Sequence, residues 1–201
     1  MQMDRATART VGILGGVAGA GLLGWALYPT IAHSLSGITP LTIAFQPAQP
    51  TANNAFAVVV SARGKPGAQL ACQGAVIQPN GQVGGHLWSS ASTAAAVSQT
   101  YWNTYDSTTG TDLQKATAAE AAVAAISAQP SARVTMATAG SDGTATMTLY
   151  SEPLAPGTYT IAAWIANPPA SALIVQDAVG TAFSALQRSP APYLALQAVL
   201  S

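Results

Sequence analysis

Residues 11–32, VGILGGVAGAGLLGWALYPTIA, constrain this chain more than any other stretch, because 22 consecutive positions carry no charged side chain. An apolar helix needs about 20 residues to cross the hydrocarbon core of a bilayer, so the run is expected to span a membrane once. Arg5 and Arg9 precede it and only His33 follows it closely. Lysine and arginine hold their flank on the cytoplasmic side. The expected layout is therefore a cytoplasmic N-terminus over residues 1–10, a transmembrane helix over 11–32, a linker over 33–40 and an extracytoplasmic domain over 41–201. The expected setting is a bacterial inner membrane, crossed once, with the C-terminal domain periplasmic.

A secretory signal also begins with positive charge and an apolar core, but that core holds only about 7–15 residues. Ala32 and Ser34 could serve a cleavage site before Leu35, whereas the length of the run and the aromatic pair Trp25 and Tyr28 at its end favour a retained anchor. Gly12, Gly16, Ala20 and Gly24 recur at every fourth position, with Gly15 and Gly19 on a neighbouring stripe. Small residues at this spacing let helix backbones approach closely in lipid. The stripe Gly12, Gly16, Gly19, Ala20 and Gly24 is thus the candidate packing surface for other membrane subunits; the alternative is a lone anchor in lipid.

The exported part matches one domain in size. Charged residues make up 7% of the chain, seven basic and seven acidic with no net charge, against about 25% in ordinary proteins. No basic surface exists to neutralise a phosphate backbone, which argues against nucleic acid as a partner. Cys72 is the single cysteine, which rules out an intrachain disulfide, a thiolate metal cluster and covalent haem attachment. It lies in the apolar stretch QLACQGAVI and is expected to be buried.

Candidate strands follow the linker: LTIAF at 41–45, AFAVVVSARG with Phe56, Val58 and Val60 on one face, residues 68–78 ended by Pro79-Asn80-Gly81, and HLWS at 86–89. Between Ser90 and Gln129 alanine dominates and β-branched runs vanish, which favours helix. One helix is expected in STAAAVSQTYWNTYDS, with Val97, Tyr101 and Tyr105 on one face. A second is expected in TDLQKATAAEAAVAAISAQP, capped by Thr111 or Asp112, stopped by Pro130, with Leu113, Ala116, Val123 and Ile126 inward. Together they form an Ala-rich insert near residues 91–129.

Beyond Pro130 the pattern alternates through Val134 and Met136, turns at Asp142-Gly143, alternates through Ala145, Met147 and Leu149, turns at Pro156-Gly157, and alternates through Tyr159, Ile161, Ala163 and Ile165. These spacings predict three strands in a meander. A strand in SALIVQD, a short amphipathic turn or helix in DAVGTAFSALQRS and a tail PYLALQAVLS that pairs with a sheet edge or docks on a partner complete the reading. The segment from about 133 to 166, with its Gly-Thr-Ala-Thr strand, its Pro-Gly turn and Tyr-Thr-Ile-Ala-Ala, resembles the last strands of bacterial immunoglobulin-like sandwich domains. The resemblance implies a mainly β, antiparallel sandwich with a scaffolding or recognition role and no catalytic residues to transfer. The helical insert and the missing cysteine pair depart from that family.

Catalytic chemistry has little to draw on. His33 and His86 are the only histidines, no nucleophile elbow accompanies either, and seven dispersed carboxylates supply a glycosidase pair poorly. No metal-ligand spacing and no phosphate loop is present. The chain is accordingly expected to be non-enzymatic and to need no cofactor. Trp88, Tyr101, Trp102 and Tyr105 are the candidate interface residues, since aromatics serve both contact hot spots and sugar platforms. The structural alternative is that they fill the contact between insert and sandwich. Two functions follow: an anchored accessory subunit of a membrane complex, or a tethered or secreted module that recognises glycans or another protein.

Overall fold

The computed structural model describes residues 37–167, 180, 182–187 and 191–201. The expected transmembrane run with its glycine stripe, and the expected strand SALIVQD, lie outside these residues. Among the described residues no helix is long and apolar enough to cross a membrane.

Two antiparallel sheets face each other. In the first, β1 (Thr39–Gln46), β2 (Ala57–Arg63) and β6 (Thr144–Tyr150) lie in the order β1-β2-β6. In the second, β3 (Gln69–Ile77) is central, and β7 (Gly157–Ala166) pairs along one side of it with β8 (Tyr193–Leu200) beyond. The other side of β3 is shared. Its first half, Gln69 to Gln73, pairs with β5 (Val134–Thr138), and its second half, Ala75 to Ile77, with β4 (Val83–His86). Apart from β5, which joins the second sheet, this is the strand order of an immunoglobulin-like sandwich. The helical insert falls between β4 and β5.

Alternation put the expected residues inside. Phe56, Val58, Val60, Ala145, Met147 and Leu149 meet Tyr159, Ile161, Ala163 and Ile165 in one cluster between the sheets, and Cys72 is buried with them. Desolvation pushes the Cys72 thiol up to about 12, because burial penalises the thiolate.

Several expectations are corrected. The three strands after Pro130 form no meander: β5 and β7 join the second sheet while β6 joins the first. Period-two alternation reports which face points inward, not which edge a strand pairs with. Met136, expected inward, is 57% exposed, and its neighbour Ala137 packs on the core instead. Strand β4 begins before the expected HLWS, and Ile38 of the expected linker is buried in the core just ahead of β1. The outer face of the second sheet is also covered. There Ala75, Ile77, Ala162 and Trp164 pack under Phe183 and Leu186 of a short helix, Phe183–Leu186. Burial on both faces explains why β3 and β7 read as nearly continuous apolar runs.

Candidate functional site in the helical hairpin and its neck

Helix α1 (Ala91–Ser107) begins where the Ser90 hydroxyl accepts a hydrogen bond from the Thr93 N–H at 3.0 Å. Helix α2 (Asp112–Ser127) begins at Thr111 with a reciprocal capping box. The Gln114 N–H donates to the Thr111 hydroxyl at 3.3 Å, and the Thr111 N–H donates to the Gln114 amide oxygen at 2.9 Å. Both caps satisfy N–H groups that a helix start leaves without intrahelical partners. The two helices pack against each other as a hairpin. Pro130 does more than end α2, since it occupies the first turn of a further short helix, α3 (Pro130–Arg133), where the missing N–H costs nothing.

The hairpin buries Ala94, Val97 and Tyr101 of α1 against Ala119 and Val123 of α2, with Trp88 and Ala132 beneath. Leu113, expected on the inward stripe, is instead 61% exposed. Ala119 is fully buried in this contact.

The chain enters and leaves this hairpin through a neck held by backbone bonds. Trp88 and Tyr150 exchange both N–H···O bonds at 2.8 Å, tying the end of the second sheet's edge to β6 of the first. Ser89 on the way in donates from its N–H to the Ala132 carbonyl at 2.8 Å, and from its hydroxyl to the Ser131 carbonyl at 2.7 Å. Entry and exit therefore lie side by side, as an insertion into a finished sandwich requires.

Two charged side chains are buried in this neck. Arg133 is 2% exposed and Glu152 is 6% exposed, although the whole chain has few charges to place. The indole Nε1 of Trp88 donates to Glu152 Oε1 at 3.0 Å. An Arg133 guanidinium nitrogen lies 3.5 Å from His86 Nε2, and the His86 ring meets Trp88 edge-on with centroids 6.1 Å apart. Buried charges are tolerated only when paired and hydrogen-bonded. Sequence reasoning did not single out Arg133 or Glu152, and scarcity of charge was the one available signal. A surface groove of about 290 Å³ opens nearby, lined by Ser92, Thr93, Ala96, Ile126, Gln129, Ser131 and Ala132. It offers hydroxyl and amide groups but no titratable side chain, so the groove and the charged neck are chemically separate. Among the described residues no group of three or more His, Cys, Asp or Glu side chains could hold a metal ion.

All four expected aromatic residues belong to this one region. Trp88 and Tyr101 are fully packed inside it, whereas Trp102 and Tyr105 are half-buried at its margin. Tyr101 stacks on Tyr105 with centroids 6.3 Å apart, and Trp102 meets both rings edge-on at 5.0 and 5.5 Å. The Lys115 ammonium sits 5.6 Å over the Tyr105 ring. Burial, a hydrogen bond to Asp112 and the nearby charges of Asp112 and Asp106 raise the Tyr105 phenol above its ordinary value. The ring thus ties the last turns of α1 to the first turn of α2. The glycine stripe Gly12, Gly16, Gly19, Ala20 and Gly24 lies outside the described residues.

No protein-family model matches the chain, and no characterised protein matches it in sequence. Among solved structures it is similar to the ASH/PapD-like domain of human CEP192, PapD-like domain 7, at 7% identity and a TM-score of 0.29, covering 92% of this chain and 99% of that one. So low a TM-score carries no argument about function, and the sandwich stands on its strand pairing.

Proposed function

We propose that this protein is a non-enzymatic accessory subunit of a membrane complex, anchored by residues 11–32 and bracing its partners on the extracytoplasmic side through the helical hairpin. The observation that carries this reading is the end of the hairpin. Half-buried Trp102 and Tyr105 stand in the later turns of α1, and Leu113, 61% exposed, stands in the first turn of α2. Aromatic anchors ringed by polar side chains are typical of protein contact surfaces. The anchor contributes the second contact, its glycine stripe packing against partner helices.

Mild-detergent purification of the full chain tests this. Stoichiometric co-purification of other membrane polypeptides is expected, reduced by Trp102→Ala or Leu113→Ala at the hairpin and by Gly16→Leu in the anchor, with Leu14→Ala as the control on another face. A protein that purifies alone, with a mature N-terminus near Leu35, overturns the reading. That outcome favours a secreted recognition module, for which the half-buried Trp102 and Tyr105 rings with Lys115 form a surface suited to glycans.

A further inference from the structure

We propose that the outer edge of β8 pairs with β8 of a second copy of this chain, antiparallel about a two-fold axis, so that the second sheet continues from one molecule into the next. Strand β8 pairs with β7 over eight successive residues, and among the described residues no strand pairs with its other side. Such an edge presents a row of N–H and C=O groups ready to accept a strand, and soluble proteins guard against this with charges, proline or bulges. The edge strand of the first sheet, β1, is guarded in this way: it carries Pro40 and a register break between Pro40 and Thr42. The sequence of β8, YLALQAVL, has no charge and no proline, and its register is unbroken. Ala195, Gln197 and Val199 are exposed on its outward face, Val199 by 68%.

Charge identifies the occupant. A strand set beside itself by a two-fold axis must run antiparallel, the direction of every pair in this sheet. Residues equally far from the axis on either side then face each other, and the residue on the axis faces its own copy, where a charge would confront its like at a cost. An edge with no charge meets no such penalty against its own copy, while a charged foreign strand would find no countercharge on it. Gln197 is the middle residue of the exposed trio, so the expected register sets Gln197 opposite its copy and Ala195 opposite Val199.

Variants of the full chain with one introduced cysteine, purified in mild detergent and oxidised, test this. Cys72 is buried and leaves the background clear. Gln197→Cys should form a disulfide-linked dimer, and a mixture of Ala195→Cys with Val199→Cys should cross-link more than either variant alone. Thr146→Cys, exposed on β6 of the other sheet, should not cross-link. Adding Gln197→Lys to both members of the Ala195→Cys and Val199→Cys mixture sets two ammonium groups opposite each other at the centre of the pairing and should weaken its cross-linking about five-fold or more. The proposal is overturned by absence of cross-links at all three β8 positions, by equal cross-linking at position 146, or by dimer yield that Gln197→Lys leaves unchanged. Capture of a different polypeptide in place of the copy overturns it too.

Discussion

The indole N–H of Trp88 donates to a carboxylate oxygen of Glu152 at 3.0 Å, inside the neck that joins the helical hairpin to the sandwich. The two residues are 64 apart in sequence, and the bond spans the point where the chain passes from one sheet to the other. Hydrogen bonds to charged groups contribute about 1.5–3 kcal/mol, and a buried group that loses its partner costs as much or more. Trp88→Phe keeps most of the ring and removes the donor. It should destabilise the domain by about 2 kcal/mol in urea unfolding, while Glu152→Gln, which preserves an acceptor oxygen, should cost less. Equal stability of wild type and Trp88→Phe would show that the bond contributes nothing.

Cys72 should be inert to thiol reagents in the folded protein. The thiolate is the reacting species, and burial holds this thiol up to about 12. Labelling at neutral pH should therefore proceed through unfolding, at least about a thousand-fold slower than in guanidinium. Rapid labelling of native protein would place Cys72 in a region that opens locally.

Gly143 should not tolerate a side chain. Its φ is +79°, and an added Cβ would stand 2.5 Å from the carbonyl oxygen of Gly64, which is backbone and cannot rotate away. The positive φ alone costs an ordinary residue about 1–2 kcal/mol. Gly143→Ala should exceed that figure in chemical denaturation, while Gly81→Ala, at φ +80° with open space around it, should show the conformational cost alone.

The hairpin should weaken in strong alkali. Tyr105 has its phenol raised above 10.0 in the folded state, first by burial and then by its hydrogen bond to Asp112. A raised value means that folding favours the protonated phenol. The stabilisation is fully present below pH 10 and is lost as pH rises through the raised value. Tyr105→Phe should remove this component of the alkaline loss, measured by helix content against pH between 9 and 12. Identical profiles for the two proteins would refute the link.

Much of the fold was legible because it depends on local pattern. Thr111, one of the two expected caps, begins α2 as short polar residues do at a helix start. Val58, Val60, Met147, Leu149, Ile161 and Ile165 alternate, and all reach the core. The tail YLALQAVL pairs on a sheet edge, one of the two fates its apolar, uncharged character suggested. Leu113 and Met136 were misread for a common reason. In the first turn of a helix or in a strand of five residues, several inward faces agree with the sequence, and neighbouring elements decide among them.

The sequence by itself determined the uncharged run at residues 11–32, the two helices, the alternating strands and the burial of Cys72, because each follows from side chains a few residues apart. Tertiary structure alone decided that β5 and β7 join one sheet while β6 joins the other, that Ala137 rather than Met136 faces inward, and that Arg133 and Glu152 are buried at the neck. The physical reason is that strand pairing and the solvation of a charge are set by partners distant in sequence. Period and propensity describe a segment's own faces and say nothing of what is brought against them.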